Sequence, residues 1–388
     1  MIKSYKIRLN PTPDQEKLLW SHVHTARFIW NWALGYQQEY YKSGGKYLSA
    51  FSMSKLLTQL KNSGYVEWLK DVSSHTLRRV LLDQDIAYKM FFNKIRGYPK
   101  FKYKDSGKSS FPVHSENMNF SPKGVRLERL GRVAFQTNYK IPEGTNVKFW
   151  DARIRYVNSK WILTFGLKCE SQTLDLTEIP LGIDLGVKDL AVVAFGDTTF
   201  KFPNINKSAR VRKLTKKLKH LQRVISRKYE VSNKLYPHAK WQKTKLILKY
   251  EMLSRKVYAK LHNIRFNYIH QITHTLVSYL PKVVGMEDLN VMGMMKNKHL
   301  SRAIQEQCFA EFIRQMKYKC EYYGIQFVQA PRFYPSSKTC SHCNNIKKDL
   351  KLSDRTYTCT DCGTVFDRDY NAAINLMRYA ESLSGLAA

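Results

Sequence analysis

Two pairs of cysteines in the last fifth of the chain constrain its fold more than any other feature. Cys340 and Cys343 are separated by two residues, as are Cys359 and Cys362, and fifteen residues lie between the pairs. Each Cys-x-x-Cys turn presents two thiolates on one side, and Zn²⁺ takes four such ligands in a closed tetrahedron. The spacing therefore predicts one structural zinc ion, which folds this segment and leaves no coordination position open.

The charge of the chain indicates a polyanionic partner. The sequence holds 65 Lys and Arg against 31 Asp and Glu, a formal net charge of +34 over 388 residues. Such an excess repels itself in a compact state unless a polyanion neutralises it. Nucleic acid gains affinity from every phosphate contact through the release of counterions. A membrane surface is the alternative, but neither terminus carries a basic amphipathic anchor.

No segment predicts secretion or a membrane span. The first residues lack the apolar centre of a signal peptide, and no apolar run approaches the ~18 residues that cross a bilayer. The three remaining cysteines are scattered, which favours a reducing compartment over a disulfide framework. They are Cys169, Cys308 and Cys320, and we expect them to be core or surface residues only. We therefore expect a soluble, cytoplasmic protein.

Hydrophobic periodicity predicts a strand followed by a helical domain. Residues 1–10 alternate between apolar and polar, as a half-buried strand does. A helix begins after Thr12, where Thr, Pro and Gln form a capping pattern. Further helices are expected at about 52–61 and 74–95, so that residues 11–95 form a small helical domain.

The segment after the helical domain is rich in β-structure. Two alternating runs joined by Asn158 and Ser159 predict a hairpin, and together with the N-terminal strand they suggest a small barrel interrupted by the helices. Residues 179–197 then read as two apolar strands around a tight turn. Short strands are expected again at 282–289 and 326–330.

A long basic helical hairpin is predicted over residues 205–280. Residues 201–265 contain twenty Lys and Arg but only two acids, and one narrow apolar seam runs along each of two helices. The connection is expected near 229–240. A charged face is often merely solvated, but this imbalance exceeds what solubility needs and favours nucleic-acid contact. One helix at about 301–323 and a closing helix over 370–383 complete the pattern.

Three acids stand at the ends of separate apolar elements and suggest a second metal site. Asp184 lies within an apolar strand, Glu287 follows another, and Asp369 begins a helix. Taken singly, Asp184 could be a turn residue and Asp369 a helix cap. Taken jointly, the three suit two Mg²⁺ ions, because hard divalent cations prefer oxygen ligands. Two ions about 3.5–4 Å apart support phosphodiester hydrolysis.

Two of these acids have acidic neighbours, which leaves the choice of ligand open. Glu287 is followed by Asp288, and Asp369 is preceded at two residues by Asp367. We prefer Glu287 because it is the first residue past the strand. Spacing alone does not choose between Asp367 and Asp369.

Three motifs resemble the TnpB family, the transposon-encoded RNA-guided nucleases related to type V CRISPR nucleases. Gly182-Ile-Asp184-Leu-Gly-Val-Lys188 is similar to the first RuvC motif, Gly285-Met-Glu287-Asp-Leu-Asn to the second, and Asp367-Arg-Asp369-Tyr-Asn-Ala-Ala to the third. The entry to the first cysteine pair and the N-terminal Arg8-Leu-Asn-Pro-Thr-Pro are also similar. In this family the third acid is the Asp of Asp-x-Asn, which selects Asp369.

The resemblance implies an α/β multidomain fold: an RNase H-like (RuvC) nuclease with an inserted zinc ribbon, and a β-barrel wedge domain interrupted by a helical recognition domain. The wedge takes residues 1–10 and 96–178, the recognition domain 11–95, the nuclease 179–335 and 364–388 with the basic hairpin 205–280, and the ribbon 336–363.

The same resemblance implies a Mg²⁺-dependent DNA endonuclease of the prokaryotic cytoplasm, associated with the nucleoid. Its partners are a guide RNA derived from the transposon end and double-stranded target DNA beside a short adjacent motif, with both strands hydrolysed at one two-metal site. Asp184, Glu287 and Asp369 are its expected catalytic residues. The candidate nucleic-acid contacts are basic or aromatic: Lys188, Arg212, Lys213, Lys216, Lys217, Arg223, Arg227, Tyr98, Lys100 and Lys102.

Other functions compete with guided cleavage. A guided repressor would bind without cutting and would be favoured by loss of an acid, but all three acids are present. An accessory or catalytic transposition protein is a further alternative, since His22-Val-His24 fits a short metal-binding pattern, although no nucleophilic Tyr with a companion acid accompanies it. A compact CRISPR effector of the same fold would differ only in genomic surroundings.

Overall fold

A computed structural model describes residues 2–104, 109–142, 147–172, 174–236, 243–351 and 354–384. The chain forms two compact units, Met1–Cys169 and Glu170–Ala388. Residues 385–388, at the end of the predicted nuclease segment, lie outside the described residues. Within the described part, no helix has the length and apolar character needed to cross a membrane.

The first unit contains the predicted helices. Helix α1 spans Pro13–Lys42, α2 spans Ala50–Asn62 and α3 spans Ser74–Phe92. The expected start of α1 is confirmed, because Thr12 and Gln15 form a reciprocal capping box, which satisfies two backbone N–H groups of the first turn.

A seven-stranded antiparallel sheet completes the first unit, in the order β2-β6-β7-β1-β5-β4-β3. Its strands are β1 (Ile2–Asn10), β2 (Ser109–Pro112), β3 (Asn119–Ser121), β4 (Gly124–Leu127), β5 (Gly131–Gln136), β6 (Phe149–Val157) and β7 (Lys160–Lys168). The predicted hairpin joins β6 to β7, and Asn158 and Ser159 both have positive φ, as a two-residue turn requires. One apolar core unites this sheet with the helices.

The second unit is built on a five-stranded mixed sheet in the order β10-β9-β8-β11-β12. The strands are β8 (Leu181–Leu185), β9 (Asp189–Phe195), β10 (Thr198–Pro203), β11 (Val283–Glu287) and β12 (Gln326–Ala330). Strands β8, β9 and β10 are antiparallel neighbours, whereas β11 runs parallel to both β8 and β12. The parallel pairs bring the carboxyl ends of β8 and β11 to one edge.

The basic hairpin consists of α4 (Ala209–Leu235) and α5 (Lys245–Ser278). The two helices pack through the predicted seam, whose buried members are Val211, Leu221, Val257 and Leu261. The predicted connection at 229–240 begins too early, since α4 continues to Leu235, and residues 237–242 lie outside the described residues.

The prediction of a single helix over 301–323 is wrong. The segment forms α7 (Ser301–Gln307) and α8 (Phe309–Tyr323), after the short α6 (Val291–Met294). Cys308 separates them with φ of 55°, in the left-handed region, where a non-glycine residue interrupts an α-helix. The ribbon segment contributes β13 (Thr356–Thr358) and β14 (Val365–Asp367), and α9 (Arg368–Ser384) closes the chain.

Candidate functional site

Strand register places two of the three predicted acids side by side. Strand β11 pairs with β8 so that Met286 lies opposite Ile183. Asp184 and Glu287 are the next residues along their parallel strands, so both reach the same edge of the sheet. Both are half-buried.

Two glycines allow α9 to lie directly on these strands. A Cβ atom at Gly182 would overlap the carbonyl oxygen of Ala373, and one at Gly285 would overlap that of Leu376. Only glycine permits this approach between backbones. Helix α9 therefore crosses β8 and β11, and its first turn, which carries Asp369, lies at the edge where Asp184 and Glu287 end.

Electrostatics indicate that Asp369 and Glu287 both influence Asp184. Burial, together with the nearby charges of Asp369 and Glu287, raises the pKa of Asp184 to about 8, although Arg368 opposes the shift. Burial also raises the pKa of Glu287, with a contribution from Asp288. Neighbouring carboxyl groups cannot all be ionised unless a cation compensates their negative charge. This set of oxygen ligands therefore fits Mg²⁺. The three carboxylates are nevertheless spaced more widely than the thiolates described below. Among the described residues, only the four cysteines form a cluster of three or more candidate ligands whose ligand atoms all lie within 4.8 Å of one another.

The raised pKa predicts that Asp184 destabilises the fold at alkaline pH when Mg²⁺ is absent. Its pKa is about 8 in the folded state against 3.8 for the ordinary group. The folded protein therefore binds the Asp184 proton more tightly than the unfolded chain does. The contribution of Asp184 to the free energy of unfolding is highest below pH 4 and falls as the pH rises toward 8. Asp184→Asn should remove this loss, which is on the order of 3–5 kcal/mol. Denaturant unfolding at pH 5 and pH 8 without Mg²⁺ would test this, and parallel curves for both proteins would contradict it.

Each acidic neighbour has a partner of its own. Asp367 caps α9, because its Oδ1 accepts the backbone N–H of Asp369 at 2.9 Å and of Tyr370 at 3.3 Å. Its Oδ2 accepts from Lys201 Nζ at 2.6 Å, which lowers its pKa although burial opposes the effect. Asp288 pairs with Arg332 at 3.0 Å. Glu287 and Asp369 thus remain the available acids, although Arg355 approaches Asp369 Oδ2 at 3.8 Å.

The four paired cysteines form a compact cluster whose ligand atoms all lie within 4.8 Å of one another. Cys340 Sγ lies 3.7 Å from Cys362 Sγ, and Cys343 Sγ lies 3.5 Å from Cys359 Sγ. A tetrahedron with Zn–S bonds of ~2.3 Å has edges of about 3.8 Å, whereas a disulfide needs ~2.05 Å. The cluster therefore fits a zinc ion and not a pair of disulfides.

The two cysteine turns share a backbone conformation. Asn344 and Gly363, the residues that directly follow the pairs, have φ of 64° and 70°. Hydrogen bonds from the hydroxyl and backbone N–H of Thr364, with contributions from Cys343 and Cys359, lower the pKa of Cys362 to about 5, which favours the thiolate that binds metal. His342 is exposed, and its backbone N–H rather than its ring is directed at a ligand, donating to Cys340 Sγ at 3.4 Å.

The candidate nucleic-acid contacts differ in their environments. The basic residues predicted on α4 are exposed, as is Lys188 in the turn after β8: Arg212, Lys213, Lys216, Lys217, Arg223 and Arg227. In the first unit, Lys102 Nζ lies 3.5 Å from the centre of the Trp30 ring. Lys100 is exposed, while its carbonyl accepts from Trp30 Nε1 at 3.0 Å. Tyr98 is 41% exposed but packs edge-on against Tyr88 and Phe91.

The alternative histidine pair does not form a metal site. His22 is 3% exposed, and its Nδ1 lies 2.8 Å from the carbonyl of Leu18. His24 is exposed on another face of α1. The two rings therefore point to different surroundings.

Sequence reasoning missed three residues beside the acids. Lys201 bonds to Asp367, Arg355 lies beside Asp369, and Asn371 bonds to the ribbon at Ser341. Asn371 offered a signal, since it belongs to the third acidic motif. Lys201 offered only its place in an alternating strand, between Phe200 and Phe202.

Comparisons with known proteins first define the class of fold. The chain resembles the protein in a cryo-EM structure of a Cas12f1–sgRNA–target DNA complex, with a TM-score of 0.58 at 14% identity, covering 97% of this chain and 98% of that one. The fold is therefore the α/β fold of Cas12-like proteins. Three family models match in addition: a helix-turn-helix domain over 1–46, a "Probable transposase" over 168–298 and a Cas12f1-like TNB domain over 309–376.

Curated relatives narrow the class to a family. The "Putative RNA-guided DNA endonuclease InsQ" of Escherichia coli K12 is 28% identical, covering 97% of this chain and 92% of that protein. A "Putative RNA-guided DNA endonuclease" of Streptomyces pristinaespiralis is 29% identical, covering 100% and 90%. These models and relatives confirm the resemblance of the chain to the TnpB family.

Proposed function

We propose that the protein is an RNA-guided DNA endonuclease that hydrolyses phosphodiesters of both target strands at one site. One observation carries the proposal. Asp184, Glu287 and Asp369 come from three separate elements yet meet at one sheet edge, where the pKa of Asp184 is raised to about 8. Perturbed acids gathered in this way favour a catalytic metal site over a structural one. The names of the relatives support the same activity.

We infer the finer architecture from the sheets. In the second unit, three antiparallel strands are followed by two parallel ones with a helix across β8 and β11, an arrangement that supports an RNase H-like RuvC nuclease over 179–335 and 364–388. The antiparallel sheet of the first unit supports a wedge barrel over 1–10 and 96–178, with a helical recognition domain at 11–95. The ribbon at 336–363 contains the cysteine cluster.

The three acids would hold two Mg²⁺ ions. Such ions would activate a water and stabilise the leaving 3′ oxygen. The chain's own contribution is to fix the carboxylates. Asp184 and Glu287 are held by strand register, and Asp369 by the Asp367 cap at the start of α9. Lys201 pairs with Asp367, which favours Asp184, Glu287 and Asp369 as the carboxylates that would hold the metals.

A guide RNA and double-stranded target DNA are the proposed partners. Arg212, Lys216 and Arg223 lie exposed on α4 and suit a phosphate backbone, because guided recognition leaves sequence reading to base pairs. Lys188 lies in the turn after Asp184, where a scissile strand would approach. A protein that cuts genomic DNA in a prokaryote would act in the cytoplasm at the nucleoid.

Copurifying RNA provides the test. The RNA bound to the purified protein is sequenced, targets matching its segments are placed in plasmid libraries with randomised flanks, and Mg²⁺ is added. We expect one abundant RNA and double-strand cleavage beside one short flanking motif. Scrambled targets and EDTA are the controls. Guided binding without any nick would reject cleavage and favour the repressor.

A further inference from the structure

Helix α9 presents a polar face to the zinc ribbon in addition to the face that lies on the sheet. Asn371, Asn375 and Arg378 stand at positions i, i+4 and i+7, which lie on one side of a helix. Asn371 is 0% exposed and Asn375 is 3% exposed. Buried amides of this kind require hydrogen-bond partners, and here the ribbon supplies them.

These side chains hold the first cysteine turn. Asn371 Oδ1 accepts the backbone N–H of Ser341 at 2.8 Å, and Asn371 Nδ2 donates to the carbonyl of Thr339 at 2.7 Å. Ser341 and Thr339 flank the ligand Cys340. Asn375 Nδ2 donates to the same carbonyl at 2.7 Å. Both poles of the Asn371 amide are therefore committed to backbone on either side of a zinc ligand.

Further contacts from the ribbon surround Asp369. Asn375 Nδ2 also donates to the carbonyl of Ser336 at 2.7 Å, and Arg378 donates to that of Ser341. The backbone N–H of Arg368 donates to the carbonyl of Arg355 at 2.9 Å, whose guanidinium lies 3.8 Å from Asp369. The ribbon thus touches α9 on both sides of the third acid.

We propose that Asn371 is a positioning residue that couples the zinc ribbon to the Mg²⁺ site through Asp369. A filled thiolate cluster fixes the turn at Cys340, the turn fixes the Asn371 amide, and Asn371 fixes the first turn of α9 two residues after Asp369. The Asn side chain is short, and α9 has no slack against Gly182 and Gly285. Displacement of the turn is therefore passed to the carboxylate.

Such coupling is a free energy shared by two sites, so it is reciprocal. Zinc strengthens Mg²⁺ binding, and Mg²⁺ strengthens zinc retention. The inference rests on the proposed function for the identity of the acid site. It adds a role for the asparagine of the third motif, whose side chain bonds to ribbon backbone and acts on the metal site only through Asp369.

Asn371→Leu tests the coupling, because leucine keeps the branched shape of the side chain and removes both hydrogen bonds. The matched control is Asn267→Leu, an exposed asparagine on α5. Zinc content, Mn²⁺ binding by electron paramagnetic resonance and the half-saturating Mg²⁺ for cleavage are measured. We expect one zinc per chain, Mn²⁺ affinity lower by about 10-fold, as for other residues behind metal ligands, and cleavage recovered at high Mg²⁺. The control should match the unchanged protein.

The outcomes separate this inference from the proposed function. If Asp184→Ala abolishes Mn²⁺ binding but Asn371→Leu leaves the affinity within twofold, the coupling is rejected and the metal site stands. If neither variant changes Mn²⁺ binding, the metal site itself is rejected. Zinc loss in Asn371→Leu with unchanged Mn²⁺ affinity would also overturn the coupling, since it would place Asn371 in ribbon folding alone. Should Asn371→Leu not fold, Asn375→Leu removes the neighbouring bonds and is read in the same way.

Discussion

Asp184→Ala is expected to abolish target cleavage while guided binding persists. The substitution removes the carboxylate at the centre of the acid group, and with it the capture of the metals. Metal ions supply several kcal/mol of transition-state charge stabilisation, and each ~1.4 kcal/mol is a tenfold change in rate. We therefore expect the single-turnover rate to fall by at least about a thousandfold. Glu287→Ala and Asp369→Ala should behave alike, measured by gel with the same RNA complex.

The control for this loss is Asp197→Ala, an exposed acid in the turn between β9 and β10. It removes one negative charge from the same sheet and should leave the rate unchanged. Band-shift affinity for the target should be the same for all four variants, because base pairing and backbone contacts are untouched. Normal cleavage by Asp369→Ala would exclude this residue from the site and bring Asp367 back into consideration.

Local pattern was sufficient to predict most elements of the fold. The capping box at Thr12, the turn at Asn158 and Ser159 and the seam of the basic hairpin are signals read within a few residues. The order of strands has no such signal, since it depends on contacts between distant segments. The break at Cys308 also has none, because nothing in its neighbourhood demands a left-handed residue and only tertiary packing sustains it.

The candidate acid site was predictable to the same extent. Apolar strands that end in acids indicated Asp184 and Glu287, but the choice of Asp369 over Asp367 needed the family resemblance. The structure provides a physical reason for that choice. Lys201 pairs with Asp367 across 166 residues of sequence, and this engages Asp367 in the cap of α9. A contact at that separation is invisible in a single sequence.

The candidate nucleic-acid contacts illustrate why side-chain type is a weaker guide than side-chain environment. Lys102 was chosen for its charge, yet its ammonium lies over Trp30 and its backbone bonds to Asn31. Tyr98 was chosen as a stacking ring, yet its hydroxyl lies 3.0 Å from that of Tyr88. Within the described parts of the chain, the predicted α4 cations form no ion pair or ring contact of this kind, so they are the better candidates among those residues.

Cys340→Ser is expected to remove zinc and unfold the ribbon. Cys340 is 0% exposed and belongs to the cluster core with Tyr357 and Cys359. Apparent binding energies of structural zinc are about 10–16 kcal/mol, and they are folding energy for the segment that binds. A serine hydroxyl does not replace a thiolate at this metal. We expect zinc content to fall from one per chain toward zero, and cleavage to be lost.

Hydrogen exchange would show where the unfolding stops. Loss of zinc should remove protection from the described parts of 336–363 and from the first turn of α9, while the first unit keeps its protection because it has its own core. Cys169→Ser, a cysteine outside the cluster, is the matched control and should retain zinc. Full zinc content in Cys340→Ser would contradict the ligand assignment. Zinc loss with unchanged exchange at Asp369 would mean that the ribbon folds and unfolds independently of the acid site, and the thiolates would then have no part in holding Asp369.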